Sequence, residues 1–265
     1  MLSLLLLTAG KISRRVFSFY LTSDNPTGSE FVLGEPDMAL AGGGNLTYMD
    51  LASTSGMWLL SMQGVKIGQQ QVTSYCPTDC AVLIDTGTSF VGMPTDAFLD
   101  FARRISAARP DCSIDSGSGL IRCDRDTSSG LPAISFSLQG HAFTLQGSDY
   151  YQQGVLGFMA IDVGSRTGFW ILGDTFLKTY YTVFDMDTRQ IGIGQNGGTS
   201  SDSGRERSCS EPTRGCNIKL VLTSRLALFL SLCSVFHLQS APSPAFPTIP
   251  LRRSATSPSV VGAGS

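Results

Sequence analysis

The sequence predicts an all-β fold. Three observations carry that reading: 29 Gly, 15 Phe and 7 Tyr, repeated short runs of β-branched and aromatic residues closed by turn formers, and one stretch with a helical period. With 42% apolar and 15% charged residues, the 265-residue chain has enough to bury a core.

Met1 to Arg15 holds a short leucine run, Leu4 to Leu7, with Lys11, Arg14 and Arg15 behind it. A secretory signal has its basic residues in front, so a truncated or wrongly started reading frame explains residues 1–15 equally well. From Val16 the texture changes. Val16 to Leu21 reads as a strand, ended by the turn residues Thr22-Ser23-Asp24-Asn25-Pro26. Further strands are predicted at Leu46 to Leu51, Met57 to Met62, Ala81 to Asp85, Ala133 to Leu138, Phe169 to Leu172 and Tyr180 to Phe184. Pro94 to Ala107 is the one predicted helix, because Pro94 suits a first turn and Phe98, Phe101, Ala102 and Ile105 share a face. The folded lobe is set at residues 16–194. Residues 195–217 are rich in Ser, Gly and charge and read as a flexible linker. Residues 218–238 form an apolar segment and 239–265 a Pro/Ser-rich tail expected to be disordered.

A formal charge of −2 and the lack of a Lys/Arg cluster argue against nucleic acid as a partner. His141 and His237 lie far apart, and no Cys/His run has zinc spacing. Four of the 7 cysteines, Cys76, Cys80, Cys112 and Cys123, fall as two close pairs in the predicted lobe. Such pairing suggests disulfides and an oxidising compartment, with separate buried thiols as the alternative.

The segment Cys80-Ala81-Val82-Leu83-Ile84-Asp85-Thr86-Gly87-Thr88-Ser89-Phe90 is the most informative. A buried strand delivers a carboxylate to a tight turn, where Gly87 allows close backbone approach and Thr86 and Thr88 supply hydroxyls. Such a carboxylate is held rigidly while poised for proton transfer. The chemistry that uses it is peptide hydrolysis by two facing aspartates sharing one proton. An Asp-Thr-Gly triplet alone is weak, and a plain strand-to-turn connection explains it too. Asp115-Ser116-Gly117 and Asp202-Ser203-Gly204 are similar triplets without a preceding apolar strand, and both read as turns.

Context strengthens the signal. Phe17-Ser18-Phe19-Tyr20-Leu21, Leu46-Thr47-Tyr48, Trp58, and Cys76 with Cys80 precede Asp85-Thr86-Gly87-Thr88-Ser89. Leu131-Pro132-Ala133-Ile134-Ser135-Phe136, Gly157-Phe158, Trp170-Ile171-Leu172-Gly173-Asp174 and Tyr180-Tyr181-Thr182-Val183-Phe184-Asp185 follow in order. In these motifs residues 16–194 resemble the C-terminal lobe of the pepsin and cathepsin D family of aspartic proteases. The resemblance implies a single pepsin-like (acid protease) lobe, aspartic endopeptidase activity on extended polypeptides, water as nucleophile, and no metal or organic cofactor. It implies that Asp85 is the second catalytic aspartate, Thr86 a brace between two lobes' active-site loops, and Gly87 a neighbour of the aspartate's outer oxygen. Thr88 and Ser89 would bind substrate backbone. Ile171-Leu172-Gly173 would support the aspartate loop from beneath, and Ile161 and Val163 would line substrate pockets, though plain core explains them as well. It further implies a Cys76–Cys80 loop. Where pepsin has a later cysteine this chain has Val155 or Leu156, which leaves Cys112 to pair with Cys123.

The family's first lobe, with its own aspartate and flap tyrosine, needs nearly two hundred residues, and fifteen precede Val16. Three readings follow: part of an active protease, an inactive single-lobe binding or inhibitory module, or a one-lobe enzyme active as a homodimer. The compartment implied is the secretory pathway, an acidic vesicle or the extracellular space. Asn45-Leu46-Thr47 fits the rule for N-glycosylation there. Residues 218–238 are about long enough to span a bilayer as a candidate membrane anchor, against which Arg225 costs about 3 kcal/mol. Translated intronic sequence is the alternative for that stretch.

Overall fold

The computed structural model describes residues 10–23, 28–54, 56–162, 168–197 and 218–221. Its strands in chain order are β1 Val16–Tyr20, β2 Glu30–Leu33, β3 Thr47–Asp50, β4 Leu59–Ile67, β5 Gln70–Val72, β6 Cys80–Ile84, β7 Val91–Met93, β8 Cys112–Ile114 and β9 Ile121–Cys123. There follow β10 Ile134–Leu138, β11 His141–Leu145, β12 Tyr151–Gln152, β13 Val155–Leu156, β14 Phe158–Ala160, β15 Phe169–Leu172, β16 Tyr180–Asp185, β17 Gln190–Gln195 and β18 Ile218–Val221. The helices are α1 Thr95–Ala108 and the single turns α2 Gly147–Tyr150 and α3 Asp174–Leu177. The fold is all-β, as the composition and patterning predict.

Three sheets form. The first has six strands in the order β18-β2-β1-β16-β17-β3, and the second runs β11-β10-β4-β6-β15-β7-β14 with β5 paired to β4. A small sheet has the order β12-β13-β9-β8. Every residue of β16 is buried, because both faces of the six-stranded sheet are covered. On one face Phe17 stacks on Phe184 with centroids 4.8 Å apart, and Trp58 meets both rings edge-on. That aromatic cluster joins the six-stranded sheet to the large core. On the other face Val16, Tyr20, Tyr181 and Val183 pack with Ala41. Ser18 shares a 2.8 Å hydrogen bond with the Tyr181 hydroxyl, which satisfies two buried polar groups at once.

Helix α1 buries the predicted face, with Ala97 added to Phe98, Phe101, Ala102 and Ile105. Phe101 lies 4.5 Å from the Phe158 ring and so ties α1 to β14. The expected start at Pro94 moves by one residue, since Pro94 is the N-cap with the non-helical ψ of 142°. At the far end the Arg109 amide reaches back to the Ile105 carbonyl, and Pro110 stops the helix. The buried Arg109 guanidinium donates to Asp111 and to the Thr127 and Ser129 carbonyls.

Ordered contacts continue on both sides of residues 16–194. Ile12 is buried, and Arg14 and Arg15 pair with Asp185 and Asp187. Beyond Gly194, Gln195 completes β17, and the Asn196 side chain donates to the Leu21 and Lys178 carbonyls. Ile218–Val221, the start of the apolar segment, pairs with β2 as an edge strand. Lys219 bridges Glu30 at 2.6 Å and Asp37 at 3.1 Å. Among the described residues no helix is long and apolar enough to cross a membrane; the rest of the segment and the tail lie outside them.

Candidate active site

Strand β6 is buried at Cys80, Val82 and Ile84, so its alternation fixes which residues enter the core and carries the chain straight to Asp85. β15 lies beside it in parallel register, Phe169 to Leu172 against Ala81 to Ile84. The last rung of this pairing is the Asp85 amide donating to the Leu172 carbonyl at 3.1 Å. Both strands end here. β6 passes into the Asp85-Thr86-Gly87 turn and β15 into Gly173 and α3.

The Asp85 carboxylate is half-buried and doubly held. The Gly87 amide donates to Oδ1 at 2.9 Å, and the Thr88 hydroxyl donates to Oδ2 at 2.7 Å. Each bond fixes one oxygen, so the plane of the carboxylate is set by the turn itself. Thr88, expected to meet substrate, thus has its hydroxyl on the aspartate. Thr86 is half-buried and Ser89 exposed on the same turn.

Gly173 is required by contact. A Cβ there would lie 2.0 Å from the Thr88 carbonyl oxygen and 2.6 Å from that of Phe90. The close approach lets the Asp174 amide donate to the Thr88 carbonyl at 2.7 Å and the Thr175 amide to Ser89 at 3.0 Å. The Thr175 hydroxyl bonds the same Ser89 carbonyl at 3.1 Å. Ile171 and Leu172 run beside β6, and Gly173 follows them against the Asp85 turn. Ile161 lies against Gly92, where a Cβ would come within 2.8 Å of its Cδ1. Val163 lies outside the described residues.

Asp174 has no role in the sequence reading, although it closes the motif that begins at Trp170. Burial, reinforced by the charge of Asp85 and opposed by Lys178, pushes its carboxyl up to about 6. Its position one residue beyond the supporting glycine is the signal that points to it. The lookalike Asp115 accepts from the amide and hydroxyl of Ser118 on the β8–β9 turn, away from this site. Asp202 is outside the described residues. Among the described residues no three His, Cys, Asp or Glu side chains gather to hold a metal ion.

Two disulfides frame the lobe. Cys76–Cys80 closes a five-residue loop that leads into β6, and Cys112–Cys123 joins directly opposed residues of β8 and β9. Asn45 is exposed between the Gly42–Gly44 turn and β3.

The family described as eukaryotic aspartyl protease matches residues 3–196. Pepsin A of Canis lupus familiaris is 33% identical over 189 residues, covering 69% of this chain and 46% of its own length. Cathepsin D of Chionodraco hamatus is 32% identical over 196 residues, covering 70% and 47%. Napsin-A of Homo sapiens is 38% identical over 191 residues, covering 68% and 43%. The chain spans about half the length of the curated relatives it matches.

Proposed function

This chain belongs to the eukaryotic aspartyl protease family, and on that premise we propose that it serves as the Asp85-bearing half of an aspartic endopeptidase. The observation that carries the proposal is the cradle of Asp85, with one carboxylate oxygen on the Gly87 amide and the other on the Thr88 hydroxyl. A carboxylate locked in this way keeps a fixed plane toward a second carboxylate across a shared water. Two such groups cannot both stay ionised at close range, so one holds a proton while its partner is charged. The charged group takes a proton from water as the oxygen attacks the scissile carbonyl. The protonated one donates to the carbonyl oxygen, and the pair exchanges roles as the amine leaves. The second carboxylate comes from a segment or partner beyond these 265 residues, and Thr86 braces Asp85's turn against the matching turn there. The substrate is a polypeptide held as an extended strand, with Ser89 and Ile161 nearest to it. The two disulfides fit a secretory or acidic vesicular compartment.

Asp85→Asn tests the assignment in a preparation that contains the second carboxylate. The amide keeps the size of the side chain but cannot cycle a proton, so peptide hydrolysis should fall by at least about 10²-fold with folding retained. Turnover at the parent rate in that variant removes Asp85 from the chemistry.

A further inference from the structure

We propose that Asn45 carries an N-linked glycan and that this glycan shields the open edge of β3. Asn45-Leu46-Thr47 is the one Asn-x-Ser/Thr site in the chain, because Asn25-Pro26-Thr27 has proline in the middle. The structure places the acceptor where a transferase can reach it. Asn45 is exposed in extended backbone, φ −109 and ψ 132, directly after Gly42–Gly44. Gly43 and Gly44 have positive φ, and nothing lies within 4 Å of the point where a Cβ would stand on either. Those glycines turn the chain and leave the approach to Asn45 uncrowded.

The same position gives the glycan a use. The six-stranded sheet has two outer strands, β18 and β3. At the first, β18 covers β2 and Lys219 ties it to Glu30 and Asp37. At the other, β3 has no strand beyond it among the described residues. Its Tyr48 is 43% exposed, and it contains no Lys or Pro to discourage a foreign strand. Its only guards among the described residues are the Asp50 charge and the Gln139 side-chain amide on the Asp50 carbonyl at its far end. A bulky, hydrated sugar two residues before β3 blocks edge-to-edge pairing there without altering the fold. The covalent step joins the Asn45 side-chain nitrogen to the anomeric carbon of an oligosaccharide donated from a lipid-linked pyrophosphate. The bond from that carbon to the pyrophosphate oxygen breaks, the lipid pyrophosphate leaves, and the amide loses one proton.

The inference rests on the secretory compartment proposed above, and the experiment separates the two. The full chain is led into the secretory pathway of eukaryotic cells behind a cleavable signal, and formation of both disulfides confirms arrival. Glycosidase digestion should then shift its mobility. Asn45→Gln and Thr47→Val should remove that shift, while Thr47→Ser retains it. A chain with both disulfides and an unmodified Asn45 peptide overturns the site, whatever its native compartment. For the shielding role, the glycosylated protein is compared with the same protein trimmed to a single N-acetylglucosamine. Trimming should raise the high-mass fraction on sizing at least about twofold; equal fractions overturn the shielding.

Discussion

At the scale of single residues, Asp174 makes the most specific claim about acid. Its carboxyl is pushed up to about 6 from the ordinary 3.8, first by burial and then by the charge of Asp85. Between these values the folded chain binds more protons at this site than the unfolded chain does. The stability so contributed is complete below about pH 3.8 and is lost as pH rises through 6. Each tenfold gain in proton affinity is worth about 1.4 kcal/mol, which places the effect at about 3 kcal/mol in order of magnitude. Asp174→Asn should therefore flatten the fall in stability between pH 4 and 6 and raise the denaturation midpoint at pH 7. Urea titrations of both proteins across that range check it, and parallel curves would mean that Asp174 is solvated in both states. The Asp85 carboxylate, held by Gly87 and Thr88 on the neighbouring turn, is the charge that adds to the effect of burial on Asp174.

At the scale of elements, the site depends on the parallel pair β6 and β15 ending side by side, and Gly173 permits it. Gly173→Ala drives a Cβ into two backbone oxygens that no rotamer change can move. The expected cost is about 3 kcal/mol or more, with loss of activity in any competent assembly. Thermal unfolding of the variant measures the cost; an unchanged midpoint would show that the two turns separate freely. The strands that carry this pair were legible in the sequence because Ala81 to Asp85 and Phe169 to Leu172 are dense apolar runs. β17 was not, since Gly192 and Gly194 break its pattern. The structure shows why they are there: a Cβ at Gly192 would meet the Tyr48 ring at 2.8 Å, and one at Gly194 the Asn45 carbonyl at 2.4 Å. Asp85, Thr86 and Gly87 were legible as a motif, but the Thr88 bond to Asp85 depends on how a turn closes, and the burial of Asp174 depends on strands distant in sequence. The short strands β8, β9, β12 and β13 follow from pairing across loops, which periodicity along the chain does not record.

At the scale of the whole molecule, the proposed reaction needs two facing carboxylates, and the Asp85 turn at the end of β6 supplies one of them. The 265-residue chain purified alone should therefore show no appreciable peptidase activity. The check is its mass in solution together with an assay across acidic pH on an unstructured protein, with and without a transition-state inhibitor of aspartic proteases. Inhibitor-sensitive cleavage by a homogeneous dimer would instead place two copies of Asp85 across a two-fold axis. Strand β18 bears on a different matter, because it uses residues that a membrane anchor would also need. With Ile218–Val221 hydrogen-bonded to β2, the apolar stretch keeps residues 222–238. As a helix these seventeen positions reach about 26 Å, short of a hydrocarbon layer of about 30 Å, and Arg225 remains among them. Sheet edge and bilayer thus draw on the same four residues, and a chain inserted through the full stretch would surrender the Lys219 pairs with Glu30 and Asp37 and leave the β2 edge bare.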